Sequence, residues 1–437
     1  MKKSTHLTLS LLAAAALGHA QGFYWNTASA NSQSLGGVYS PSSTGVLDAL
    51  AANPAGLSLI DGHVVNLGAM GGFARGSFSN SANMNSPMTT PPGGIAYGAF
   101  GMRIGKTPFS FGVGEMPELT SVSEWRYVDA PGVAGASYGL QNQKSAILAT
   151  RTAAGLGIYL NSKLSIGVSI GAVYNSNTLD APYIFQSQPV VKGLKTLLDL
   201  KTTGVGWNGS VGALVHASRR VQLNAAWKSQ TVINSTGSAT GDLDRQLSAL
   251  SLSVPSTTFR YDAAVRNMLP QSVLVGGEWQ VDSHWTLALQ GDWTNWKNAF
   301  HTLPVALTNG TNATVNSLLN STSLNDGVPL NWKDQYAVRV GVSRSVSENV
   351  SIHGGYAHAN NPVPSSTLSP LTAAIFTNQV STGFAYRLGH VNFDASYSFG
   401  LTAKASVGQS GLLSGEYNNS VVRVGIQTIS ISTAFRF

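Results

Sequence analysis

The chain has 437 residues, of which 43% are hydrophobic, 47 are glycine and only 10% are charged, against about 25% charged in an ordinary soluble protein. So little charge cannot wet the surface of a soluble protein this long, so much of the exterior faces something other than water. There is no cysteine, which excludes disulfides and thiolate chemistry, and the net charge of +7 comes from scattered Lys and Arg rather than a basic helix or an RNA-binding motif, so no nucleic-acid partner is expected.

In chain order, residues 1–20 read as a secretory signal peptide. Lys2 and Lys3 supply a positive start, LTLSLLAAAAL (7–17) is an apolar run too short to span a bilayer, and Gly18 and Ala20 frame a cut before Gln21. Without them the net charge falls to +5. No later apolar run reaches the roughly 18 residues of a membrane-spanning helix. Residues 21–62 do not alternate; they hold a helix-like stretch over 46–52, stopped by Asn53 and Pro54.

From residue 63 onward the pattern changes to period two, the mark of strands with one apolar and one polar face. In HWTLALQGDWTNW (284–296), Trp285, Leu287, Leu289, Gly291 and Trp293 share one face, and Thr286, Ala288, Gln290 and Asp292 the other. The same alternation marks fourteen strands, at about 63–78, 95–104, 108–118, 145–160, 164–177, 204–217, 221–239, 271–281, 284–299, 333–346, 350–360, 376–388, 391–405 and 420–437. Every second connection is tiny, as at 105–107, 161–163, 218–220, 282–283, 347–349 and 389–390. The others are long: 79–94, 119–144, 178–203, 240–270, 300–332, 361–375 and 406–419.

Alternating short turns and long loops are the signature of an outer-membrane barrel. A water-soluble two-sheet sandwich would show no such alternation of loop length. Trp285 and Trp293 then mark the two bilayer interfaces, since eight residues of strand rise about 27 Å, or about 20 Å along the normal at a tilt near 40°, close to the apolar band of about 25 Å. The last strand carries Ile429, Ile431, Thr433, Phe435 and Phe437 on one face, and Phe435 and Phe437 resemble the C-terminal signal read by barrel-assembly machinery. Val422, Val424 and Ile426 lie on the opposite face, which calls for a bulge or an oily lumen at that height. The expected architecture is therefore all-β: a 14-stranded antiparallel transmembrane β-barrel in the bacterial outer membrane. Residues 1–20 are its signal peptide, 21–62 an N-terminal hatch plugging the lumen (a disordered tail being the alternative), and 63–437 the barrel.

NPAGL (53–57), ahead of a barrel, resembles the hatch motif of the FadL family of outer-membrane transporters of hydrophobic compounds. NWKDQYAVRVGVSRSVSENVSIHGGYAHANNPVP (331–364) is similar to that family's Asn-Trp-Lys-Asp strand start, Gly-Tyr strand and Asn-Pro-x-Pro loop. The chain departs from the family pattern at 368–383, where LSPLTAAIFTNQVSTG replaces polar, acidic residues. The resemblance implies passive uptake of long-chain fatty acids or similar molecules by loop capture, hatch gating and sideways exit through a kinked strand. The runner-up is an open aqueous porin or sugar channel. Implied partners are a hydrophobic small molecule, outer-membrane lipid and lipopolysaccharide, and the assembly machinery, around a monomer without cofactor.

The residues add candidates for these roles. Asn53, Pro54 and Ala55 are expected to border the ligand as a gate. Leu194, Leu197 and Leu198, with Val190 and Val191, sit at helical spacing in one loop. Leu243, Leu247 and Leu250 do so in the next, behind a capping Asp242. The two stripes either pack together or leave an acyl groove between them. Lys192, Lys195 and Arg245 either attract a carboxylate or are plainly solvated. Gly112, Gly114 and Pro117 weaken the third strand, where a lateral opening is expected. Nothing points to an enzyme or a metal site: His353 and His358 have no partner cluster, and no Ser-His-Asp arrangement can be singled out.

Overall fold

The computed structural model describes residues 24–43, 45–132 and 135–437; the expected signal peptide lies outside the described residues. The strands are β1 (His63–Asn80), β2 (Asn83–Pro87), β3 (Gly93–Arg103), β4 (Phe109–Val128), β5 (Leu140–Asn161), β6 (Leu164–Ile184), β7 (Lys195–His216), β8 (Val221–Lys228), β9 (Thr231–Asp242), β10 (Thr258–Leu269), β11 (Ser272–Gln280), β12 (Trp285–Thr294), β13 (Thr302–Thr308), β14 (Leu324–Pro329), β15 (Gln335–Ser345), β16 (Val350–Ala359), β17 (Asn378–Leu388), β18 (Val391–Val407) and β19 (Ser420–Arg436). Each pairs antiparallel with its neighbour, and β1 pairs with β19 from Val64↔Arg436 to Ser79↔Val421, which closes the sheet. β8 with β9, β10 with β11, β12 with β13, and β14 with β15 are each one wall strand broken by a kink. β2 and β3 likewise follow one edge of β1, at Ser77↔Pro87 and Gly72↔Gly93, as one broken wall strand, so the wall is a closed 14-stranded barrel. No described helix is long and apolar enough to cross a membrane; the strands cross instead.

Alternation decides the faces. In β6, Ile166, Val168 and Ile170 are exposed on the outside while Ser165 and Ser169 are buried within. In β12, Leu289 is 54% exposed while Ala288, Gln290 and Asp292 are buried. Trp285 lies under the Arg344 guanidinium, 5.1 Å from its ring, and the Trp293 indole donates to Asp334 at 3.1 Å. Both indoles thus sit where an apolar ring meets polar partners, as at a membrane interface. Val422, Val424 and Ile426 are buried inside, so the lumen is oily at that height; the register shift there falls in β18, between Gly400 and Ala403. Phe437 stacks on His63 at 5.5 Å and exchanges backbone hydrogen bonds with it, sealing the seam.

The long connections are mostly not loops. β4, β6, β7 and β10 run on well past the expected strand ends, and β13 and β14 form a further hairpin. The helix expected from Val190, Val191, Leu194, Leu197 and Leu198 does not form: residues from Lys195 onward are in β7, where Leu197 pairs Pro182 and Leu198 pairs Ala181. A ladder of paired backbone outweighs a short run of helical spacing. A short helix does form at Asp244–Ala249, with Asp242 accepting from the Asp244 amide.

Residues 24–60 lie inside the barrel, with short helices at Ala30–Ser34 and Val46–Ala51 and a 3-10 turn at Pro54–Leu59. Asp48 ties them together, accepting from the Ala28 amide (2.7 Å), the Ser29 amide (2.9 Å), the Ser32 hydroxyl (2.6 Å) and the Ser29 hydroxyl. The wall grips the segment through Arg151 to the Leu50 carbonyl (2.8 Å), Arg339 to the Gly36 carbonyl (2.6 Å), and Gln290 to the Tyr39 amide (2.8 Å). At Gly167 a side chain would overlap the Pro54 backbone, so glycine there lets the segment touch the sheet. Replacing Asp48 by Ala removes the hub and should loosen the segment by about 2–4 kcal/mol. Amide exchange in peptides from 24–60 should then accelerate while β15 to β19 stay protected; unchanged exchange would show that Asp48 is not the tie.

Candidate functional site

Above the N-terminal segment, the lumen narrows to an apolar cavity of about 200 Å³ near the extracellular rim. The upper ends of β5, β6 and β7, the β13–β14 hairpin and the loops around residues 369–372 and 412–417 build it. Trp296, Phe300 and Trp332 make its floor region, each pair of rings 4.8–5.0 Å apart. Phe300 and Trp332 line the space directly, with Leu179, Tyr183, Phe185, Leu200, Leu303, Leu371 and Tyr417. The Trp296 indole is fixed by Gln335 at 3.2 Å. On its far side Trp296 meets Tyr24 edge-on at 6.2 Å. An unbroken aromatic file therefore runs from the cavity to the start of the N-terminal segment.

Among the described lining residues the charged ones are Asp326 and Glu416, both acids. Asp326 is satisfied by the Tyr183 and Ser187 hydroxyls and the Gln186 and Ser187 amides. Burial raises its pKa, but these donors outweigh burial and hold it below the ordinary value. Glu416 lies 3.6 Å from Lys195, whose ammonium is 2.6 Å from Asp129, so three loops meet at one cation. Burial, and then the neighbouring Asp129, push Glu416 well above its ordinary value, although Lys195 pulls the other way.

The wall below contains a parting. β3 pairs β4 only from Arg103↔Ser110 to Gly98↔Glu115. Residues 116–123 of β4 then lack β3 as a neighbour, until Thr89 donates to the Glu124 carbonyl at 2.7 Å and Met88 bridges Trp125. On the other edge of β4 the register slips between Pro117 and Leu119, leaving Glu118 as the bulge. The N-terminal segment fills the break: the Trp25 amide donates to the Glu118 carbonyl at 3.0 Å and Tyr24 bridges Leu119. Residues 116–123 are buried on both faces, so the parting is shut.

A family model described as "Outer membrane protein transport protein (OMPP1/FadL/TodX)" matches residues 11–437. The chain belongs to this family. It is thus an outer-membrane transport protein, and the family is one of transport channels rather than enzymes. Among solved structures, the Pseudomonas putida toluene transporter TodX superposes with a TM-score of 0.74 at 19% identity, over 95% of this chain and 100% of that one. The Ralstonia pickettii toluene transporter TbuX gives 0.70 at 19%, over 94% and 99%, and a Pseudomonas aeruginosa FadL homologue 0.75 at 16%, over 95% and 100%. At these identities the likeness is one of fold. A search of curated proteins found no significant match.

Of the residues singled out from sequence, Leu198 lines the cavity. Leu243 is buried in an outer cluster with Phe185, Phe259 and Tyr261, against which Leu194 and Leu247 pack; Leu250 is 41% exposed. The two leucine stripes thus pack together rather than leaving a groove. Lys195 is not solvated but fully buried in its ion pair. Asn53, Pro54 and Ala55 do not border the cavity. Asn53 donates to the Ala213 and Ala225 carbonyls (3.1 and 3.3 Å) and accepts from the Ala55 amide (3.0 Å), docking the segment on the wall. Gly112 and Gly114 lie in the paired part of the ladder, Gly112 facing Leu57 and Val46. Only Pro117 is at the parting, so the expected opening lies one turn of pleat beyond the glycines. The floor aromatics and Glu118 carry little local signal; NWKNAF (295–300), with two rings in a stretch that cannot all face lipid, is what the sequence offers.

An acid held above its ordinary value keeps its proton where the unfolded chain has lost it, so its contribution falls as pH rises through that raised value. As pH rises from about 5 to about 9, residues 408–419 should lose amide protection, because one cation then faces two carboxylates. Glu416→Gln should remove this pH dependence; its persistence in the variant would exclude Glu416 as the cause.

Proposed function

We propose that the protein takes up small, neutral hydrophobic molecules, of the single-ring aromatic or short hydrocarbon class. They enter the extracellular cavity and leave sideways into the bilayer through the parting of β3 and β4, with residues 24–60 acting as a hatch. The observation that carries this reading is the cavity: aromatic and aliphatic, of about 200 Å³, and lined by acids but no cation among the described residues. An apolar space of about 150 Å³ suffices to take up benzene. Two of the three structural neighbours described above are toluene transporters, which supports the same class. Sideways release spares the cargo from water, at about 0.8 kcal/mol for each CH₂-sized increment.

The resemblance alone implied a long-chain fatty acid, and here the charges favour a different cargo. Its carboxylate would join the charged Asp326 in a water-poor space. The nearby cation, Lys195, is already held by Asp129, by the Ala130 carbonyl at 2.5 Å and by Glu416. Purified protein should therefore bind toluene at least about tenfold more tightly than benzoate, a difference of about 1.4 kcal/mol, and take up octane in preference to octanoate in whole cells. Equal or tighter binding of the carboxylates would overturn the neutral-cargo reading. Deleting residues 21–62 should leave a heat-modifiable barrel with raised conductance in planar bilayers, because the segment fills a lumen that fourteen strands would otherwise leave open. Unchanged conductance would remove the hatch role.

A further inference from the structure

We propose that Glu118 and Lys228 are positioning residues for transport: their buried ion pair is the latch that holds Tyr24 and Trp25 across the parting in the wall. The inference rests on the reading that this parting is the exit.

The bulge at Glu118 has two consequences. It turns the Glu118 carbonyl to the Trp25 amide, and it turns the carboxylate into the lumen, where it is 1% exposed. A buried carboxylate must find donors and an opposite charge. Lys228, at the kinked end of β8, supplies both, with its ammonium 3.1 Å from each carboxylate oxygen. The Tyr24 hydroxyl donates to the same carboxylate at 3.1 Å, and the Lys228 ammonium lies over the Tyr24 ring, 4.6 Å from its centre. Tyr24 is thus held at both ends of its phenol by one ion pair, by a charge-assisted hydrogen bond and a cation–π contact.

The same carboxylate reaches deeper. Asn208 donates to Glu118 at 3.4 Å and accepts from Arg151 at 2.7 Å, and Arg151 donates to the Leu50 carbonyl. One network therefore grips the hatch at two places. Its geometry also orders the opening. A neutral cargo cannot compete for an ion pair, but it can displace an aromatic ring from Trp296. When Tyr24 leaves, Glu118 and Lys228 still hold each other, so no lone charge is left in the opened wall and the parting admits an apolar molecule without becoming an ion leak.

The test replaces both charges together, Glu118→Leu with Lys228→Met, so that neither is left buried alone. Hydrogen exchange of peptides spanning Tyr24 and Trp25 should accelerate at least about tenfold from loss of the charge-assisted bond, with β15 to β19 unchanged. Toluene transfer into proteoliposome bilayers should rise. Tyr24→Phe, which keeps the ring and loses only the hydroxyl, should give a smaller acceleration in the same direction. Unaltered exchange at Tyr24 and Trp25 in both folded variants would overturn the latch. Faster exchange with unaltered toluene transfer would instead keep the latch and overturn the parting as the exit.

Discussion

Every backbone amide at membrane depth must find a partner, because the bilayer offers none. In this barrel the ladder between β3 and β4 stops short, and the strands separate above Gly98 and Glu115. The rest of the architecture can be understood as the consequence. The free edge of β4 is folded inward until both its faces are covered. Tyr24 and Trp25 act as a patch of borrowed strand, and the network around Glu118 fixes that patch to the far wall and to the rest of the N-terminal segment. A gap that would be ruinous in lipid is tolerable because the protein carries its own partner for it.

The division of labour among charges follows from the same constraint. The outer surface is almost free of them and presents Val168, Ile170, Leu289 and Ile429 to lipid. Several of the charges that remain inside are paired, Arg339 with Asp292 at 2.6 Å, Lys228 with Glu118 and Lys195 with Asp129, while Arg151, Asp48 and Asp326 are satisfied by hydrogen bonds to neutral groups. Each pair ties segments distant in sequence, and none offers an unpaired cation to the cavity. Truncating one member would leave the other buried without compensation, which costs far more than exchanging both for apolar groups.

Much of this was legible in the sequence, and the reason is local. The period-two alternation of LSIGVSIGAVY and HWTLALQGDW sets which side chains meet lipid, and the alternation of turn length sets the barrel and its orientation. What escaped depends on distant pairing. The stripe around Leu194, Leu197 and Leu198 has helical spacing, yet β6 supplies a ladder that makes it strand. Gly112 and Gly114 suggest weakness, yet they are well paired, and the break begins where β3 stops matching β4, which no local pattern reveals. The cavity floor unites Phe300, Trp332, Leu371 and Tyr417 from separate loops, and their meeting is a property of the closed barrel alone.

The central claim is that cargo leaves through the parting when Tyr24 and Trp25 move. The absence of native cysteine makes a direct measurement simple. Tyr24→Cys with Leu119→Cys introduces the only two thiols, at residues that face each other as bridge partners. Transfer of toluene from solution into the bilayer of proteoliposomes would be followed with the pair oxidised and then reduced. The account predicts that the oxidised protein still binds toluene in its cavity but does not deliver it, and that reduction restores delivery. Equal delivery by the fully oxidised protein would contradict it, and the exit would then have to lie elsewhere.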